Sequence, residues 1–325
     1  MSTLTAIRKL TPSQHDDLNR LQKLHAKQER LLAQHFLMAM GKLTNKTSID
    51  QIAYLLRAGN IDGVTRLVDD AIEKFSNVLG AVLALAGHNE ASVWAKKFHR
   101  LGKSAGFLDF TDRRVATTIA SNKFNFTTNL MRQQRNLVRL ALIQELRGDA
   151  TYEQIATRFT HMVGLTDQQY KSVGVYRRAL QAQRIENQTE ANPVEIVKVD
   201  DSVDVLSPFM IDRMVNQYAQ VQRKARADTI AATDGLKLIN QGRYLAVSQA
   251  MDSTGANGTK TWLHTTSIEP RETHLDTVGT TIDIDEPFDV GGVSMLYPGD
   301  QSLGAGPEDV INCKCGVSYD LQPGD

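Results

Sequence analysis

Between Thr11 and Gly41 the apolar residues Leu18, Leu21, Leu24, Leu31, Leu32 and Met38 recur mostly at spacings of three, four and seven. Only an α-helix gathers residues at that period into one stripe. A stripe this long needs another helix or a partner to cover it, so the chain is committed from its start to helix packing. Thr11-Pro12-Ser13 supplies a capping hydroxyl and a pre-set φ at the helix entry. The same signals predict helices from Ser48 to Ala58, from Ile61 to about Ala86 with Gly87 as the stop, and from Thr111-Asp112 to Leu146 before Gly148. Helical pattern returns from Pro208 to Tyr218 and runs through Arg226 to Ala232.

A chain of 325 residues holds two or three domains. A hydrophobic share of 41% with 23% charged residues excludes a wholly disordered chain. Lys+Arg 37 against Asp+Glu 37 excludes a uniformly basic nucleic-acid coat. The apolar run Val78 to Gly87 is about half of the ~20 residues a membrane span needs, so no spanning helix is expected. Arg8 and Lys9 have no apolar segment behind them, and no secretory leader is expected. The two cysteines stand together as Cys313-Lys314-Cys315, which is no disulfide framework and suits a reducing compartment.

Charge is distributed by region. Residues 91–147 carry eleven Lys/Arg against three acids, net +8, whereas residues 264–325 carry two against twelve, net −10. Arg132, Arg135 and Arg139 fall on one helical face. They are candidate contacts for phosphates or for an acidic protein surface, and the same pattern also describes a solvated helix face.

From Glu186 to Ser207 the text turns polar and acidic, which reads as a linker. Beyond Gly258 short alternating runs predict strands at Thr261–Thr266, Thr280–Ile284 and Val293–Tyr297, the last before the turn Pro298-Gly299-Asp300. The expected fold class is α+β: a long, mainly helical N-terminal body followed by a small α+β C-terminal domain with short strands. The expected divisions are a helical arm at 1–90, a basic helical region at 91–185, an acidic linker at 186–207 and a C-terminal domain at 208–325.

Side chains able to do chemistry concentrate at Trp262, Arg271, His274, Cys313 and Cys315. On a strand Cys313 and Cys315 project to the same face, and two thiolates with an imidazole are ligands that zinc prefers. A closed site needs a fourth ligand, for which His264 and Asp276 are the candidates. The alternative is that His274 donates to a buried carbonyl while both thiols pack as small hydrophobes. A catalytic reading would pair His274 with Asp276 or Glu272 and use Cys313 as nucleophile. Neither a Walker loop nor a GxGxxG segment is present. The expectation is a protein that is not an enzyme, with no cofactor other than zinc.

The blocks Trp262, Arg271, His274 and Gly279, then Asp285-Glu286-Pro287-Phe288, Tyr297-Pro298-Gly299-Asp300, Gly306-Pro307-Glu308 and Ile311-Asn312-Cys313-Lys314-Cys315, resemble in order and spacing the phage Mu F-like head morphogenesis family. Gly164-Leu165-Thr166, Tyr176-Arg177-Arg178 and Arg226-Ala227-Asp228-Thr229 resemble the helical blocks that precede that domain, so the likeness reaches back to about Gly148. Ser267 and Val278 stand where relatives usually carry acids, which speaks against a working active site.

The resemblance implies a minor capsid protein made in the host cytoplasm and built into the virion, in the capsid interior or at the portal vertex. It would act in head assembly or in DNA packaging and ejection. Portal protein or capsid shell protein would be its partners, docked through apolar stripes such as Leu18, Leu21, Leu24 and Leu31, with sequence-independent contact to packaged DNA as a further expectation. The competing reading is a capsid-carried, metal-dependent hydrolase delivered with the DNA.

Overall fold

The computed structural model describes residues 10–100, 108–145, 150–181, 207–264 and 270–322, so the expected linker lies outside the described residues except for Ser207. Helices dominate. They are α1 (Pro12–Gly41), α2 (Lys46–Arg57), α3 (Ile61–Arg100), α4 (Arg113–Glu145), α5 (Tyr152–Met162), α6 (Asp167–Gln181) and α7 (Pro208–Thr254). A small α+β region follows, with β1 (Asn257–His264), α8 (Glu272–Thr277), β2 (Thr281–Asp283), β3 (Phe288–Val290), β4 (Val293–Met295), α9 (Pro307–Val310) and β5 (Cys315–Gln322). This is the α+β class expected.

The chain divides into two compact units: Met1–Phe36 with Lys74–Thr127 and Ala227–Asp325, and Leu37–Glu73 with Thr128–Arg226. In the second unit α2 packs on α5. There α6 and the start of α7 enclose Met162, Leu165, Val173, Leu180, Ile211, Val215 and Ala219. Two buried arginines of α7 hold the α5–α6 turn. Arg223 donates to the carbonyls of Thr160, His161 and Val163, and Arg226 to those of Gly164 and Leu165. The Gly164-Leu165-Thr166 and Arg226 blocks thus meet because carbonyls left over at a helix end need donors.

Three helix expectations are corrected. On α1 the buried stripe is Leu18, Leu21, His25, Gln28, Leu32 and Phe36, whereas Leu31 is 37% and Met38 54% exposed. A true 3.6-residue period from Leu18 passes through two polar residues that an apolar count skips. Leu18 and Leu21 are therefore covered by the chain itself and are not free to dock a partner. Helix α3 does not stop at Gly87 but runs 40 residues to Arg100. A Cβ on Gly242 of α7 would lie 2.3 Å from the Leu83 carbonyl oxygen and 3.0 Å from the Gly87 amide nitrogen. Gly87 is there so that two helices can touch backbone to backbone, not to end one. Likewise α7 continues past Ala232 for 47 residues in all.

In the first unit an antiparallel sheet of order β2-β1-β5 is joined by the β3–β4 hairpin. The longest pairing, β1 with β5, runs from Asn257↔Gln322 to His264↔Cys315. Alternation sends Trp262, Val317, Tyr319 and Leu321 to one face, into a core with Trp94, Phe98, Phe288, Val290, Met295 and Tyr297. Trp262 meets Phe288 edge-on at 5.1 Å. A buried ionic group stands beside this core: Glu90 accepts from Arg243 (2.8 Å), Arg20 and the Trp94 indole (3.0 Å), while Arg243 also donates to the Val317 carbonyl at 2.7 Å.

Candidate metal centre

The register of the sheet assembles the centre. His264 is the last residue of β1 and Cys315 the first of β5, and they are direct partners across the ladder. In an antiparallel pair such partners share a face, and His264 Nδ1 stands 3.4 Å from Cys315 Sγ. His274 comes from the one-turn helix α8, with Nδ1 3.5 Å from Cys313 Sγ and 3.4 Å from Cys315 Sγ. All four residues are buried: His264 3%, His274 2%, Cys313 3% and Cys315 1% exposed.

The other motif residues hold this frame. Arg271 donates to the carbonyls of Glu308 and Ile311, both at 2.7 Å, and so clamps the turn that delivers Cys313. Trp262 stands edge-on to His274 at 5.7 Å and fixes its ring. Gly279 and Gly299 take left-handed backbone, φ 85° and 87°, and the Pro298 carbonyl accepts from Asn240 Nδ2, which also donates to the Cys315 carbonyl.

His274, Cys313 and Cys315 offer one donor atom each within 4.8 Å of one another, a group able to hold a metal ion. Zn–S bonds of ~2.3 Å and Zn–N bonds of ~2.0–2.1 Å at tetrahedral angles put each N···S edge at about 3.5 Å. The three N···S separations match that edge. Of the two candidate fourth ligands His264 reaches Cys315 but stands outside that group of three, whereas Asp276 is exposed. Hydrogen bonding from the Cys315 thiol, and then from His274, lowers Cys313 well below the usual thiol range despite its burial. Burial holds Cys315 above that range, and burial also lowers His264, which keeps its imidazole neutral. Two thiols beside an imidazole are the donor set zinc takes up, and two thiolates would cancel its charge in a buried place.

The hydrogen bond expected from His274 to a buried carbonyl gives way to contacts with both sulfurs. Glu272 and Asp276 are both exposed, and among the described residues no hydrogen bond joins either to His274. Ser267 lies outside the described residues. Arg132, Arg135 and Arg139 share the exposed side of α4, but Arg135 is tied to Asp69 by contacts of 2.7 and 3.0 Å and Arg132 donates to Asn129. Sequence reasoning passed over Lys314, whose Nζ meets Glu29 Oε1 of α1 at 2.9 Å. Its place between two candidate ligands was the available signal.

Residues 209–318, about a third of the chain, match the family model described as Phage Mu protein F like protein. That family is one of phage head morphogenesis proteins, associated with the virion. No curated protein and no solved structure matches the chain. Among the described residues no helix is long and apolar enough to cross a membrane.

Proposed function

We propose that this chain is a minor capsid protein of phage head morphogenesis, built into the capsid near the portal, where it serves head assembly and DNA packaging or ejection without catalysing a reaction. The family match over residues 209–318 carries the reading, and the chemistry of the buried centre supports it. His274, Cys313 and Cys315 form the group able to hold the ion, and His264, equally buried and 3.4 Å from Cys315 Sγ, is the fourth donor we assign; filling that position with protein is the arrangement of a structural rather than a catalytic zinc. The zinc would be held by His264, His274, Cys313 and Cys315, and would supply cross-linking of β1, α8 and β5. Arg132 and Arg139, exposed on α4, are the contacts for an acidic portal or shell surface, or for packaged DNA.

The test is a nonsense mutation of the gene in its phage, with particles counted and their protein content measured. The expected result is that normal particles contain the chain in few copies and that its loss reduces the yield of DNA-filled, infective heads. Normal heads and normal infectivity without the chain would defeat the proposal. A hydrolytic activity abolished by His274→Ala in a protein that still enters particles would favour a capsid-carried hydrolase.

A further inference from the structure

Both thiols of Cys313-Lys314-Cys315 meet His274, whereas Lys314 between them points the other way and meets Glu29. On that other face lies the first half of α1. Gln14 Nε2 donates to Thr261 Oγ1 at 3.1 Å, and Ser318 Oγ donates to Asp17 Oδ2 at 2.5 Å. A Cβ on Gly316 would fall 2.7 Å from Leu21 Cδ1, so the helix rests on the strand backbone itself. Glu29 then pairs with Lys314 at 2.9 Å. Residues 17, 21 and 29 thus meet residues 318, 316 and 314 in turn, and α1 runs along β5 in the opposite direction. The far end of α1 is held by other means, with Phe36 packed edge-on against Phe75 at 5.4 Å.

We propose that metal held by His264, His274, Cys313 and Cys315 is the lock that docks the first half of α1, residues 12–29, on the sheet. The inference rests on reading the four donors as a metal site. Ligands from β1, α8 and β5 converge there, so the ion fixes the end of β5 that α1 lies against. Without it, four buried polar groups lose their common partner and the Cys313–Gly316 segment is free to shift. Lys314 and Gly316 move with it, and the helix loses its contacts along β5, which leaves the Arg20–Glu90 pair to tether this half. Loading would therefore set whether this N-terminal segment is packed down or released, a device suited to a protein that must change neighbours during assembly.

The experiment uses the full chain, loaded with zinc or stripped with a strong chelator, and follows amide hydrogen exchange by peptide. Stripping should raise exchange in residues 12–29 by roughly tenfold or more, with residues 150–181 in the other unit unchanged. Glu29→Gln should retain the bound zinc yet raise exchange in the same peptides, which separates the docking contact from metal binding. Cobalt(II) titration, read by thiolate charge-transfer absorption, tests the site itself. A protein that takes up neither zinc nor cobalt fails the metal reading and this inference with it. A protein that binds metal while residues 12–29 exchange alike in both forms overturns the lock alone, as does stripping that loosens residues 150–181 in step.

Discussion

Replacing Gly242 by alanine would place a Cβ 2.3 Å from the Leu83 carbonyl oxygen, 3.0 Å from the Gly87 nitrogen and 3.2 Å from the Leu83 carbonyl carbon. All three neighbours are backbone atoms inside a helix, so no side-chain rotation relieves the contact. A carbon normally keeps about 3.3 Å or more from an oxygen even in weakly attractive contacts, so α3 and α7 must part locally by roughly an ångström. Overpacking of this kind typically costs ~1–3 kcal/mol. The upper part of that range applies here, because parting the helices also loosens the Trp94, Phe98 and Val247 packing that the two share. Urea unfolding followed by far-UV circular dichroism measures it in both units, with tryptophan fluorescence reporting this unit alone through Trp94 and Trp262. Gly174→Ala is the control: Gly174 lies inside α6 and its Cβ would meet nothing nearer than an Arg178 nitrogen at 3.6 Å. That change should stabilise the protein by ~0.5–1 kcal/mol through helix propensity. Equal effects of the two substitutions would refute the claim that Gly87 and Gly242 exist for close helix approach.

Glu90→Gln leaves Arg243 charged and 2% exposed without its carboxylate, and breaking a buried pair in this way costs ~3–5 kcal/mol in thermal or chemical unfolding. Burial works against ionisation of Glu90, but Arg243 and Arg20 outweigh it and its folded pKa lies below the ordinary 4.5; the stability it supplies is present above that value and lost as pH falls through the folded one. His25 behaves in the opposite chemical sense, since burial and then Lys314 lower its pKa from 6.5 to about 4 and keep it neutral. Stability should therefore be full above pH 6.5 and decline toward pH 4 as the unfolded state takes up the proton, and His25→Gln should flatten that decline in a pH series of melting temperatures. Arg132→Glu with Arg139→Glu should leave the fold intact and reduce incorporation into particles more than retention of duplex DNA; a double mutant that enters particles normally but no longer retards DNA would reassign that face to the genome.

What was legible in the sequence followed from local periodicity. The helices, the α+β end and the Cys313-Lys314-Cys315 pair of thiols rest on patterns within a few residues, whereas His274 joins that pair from 39 positions away. What escaped depended on partners far along the chain. Gly87 carries the ordinary sign of a helix end, and only Gly242, brought against it by folding, explains why the helix continues. Glu90 and Arg243 are 153 positions apart, so neither sequence neighbourhood announces the pair. His264 and Asp276 are equivalent as candidates until the β1–β5 register seats His264 opposite Cys315. One signal was present and passed over: Cys315, Val317, Tyr319 and Leu321 alternate with Gly316, Ser318, Asp320 and Gln322, the period of a strand with one face in a core.

Zinc K-edge absorption on the protein recovered from purified particles reads the central claim most directly, because it asks at once whether the chain is in the virion and how its metal is held. The account predicts about one zinc per chain with two sulfur and two nitrogen ligands at ~2.3 Å and ~2.0–2.1 Å. Particles that lack the chain, or a chain whose zinc is absent or keeps a water ligand, would contradict it.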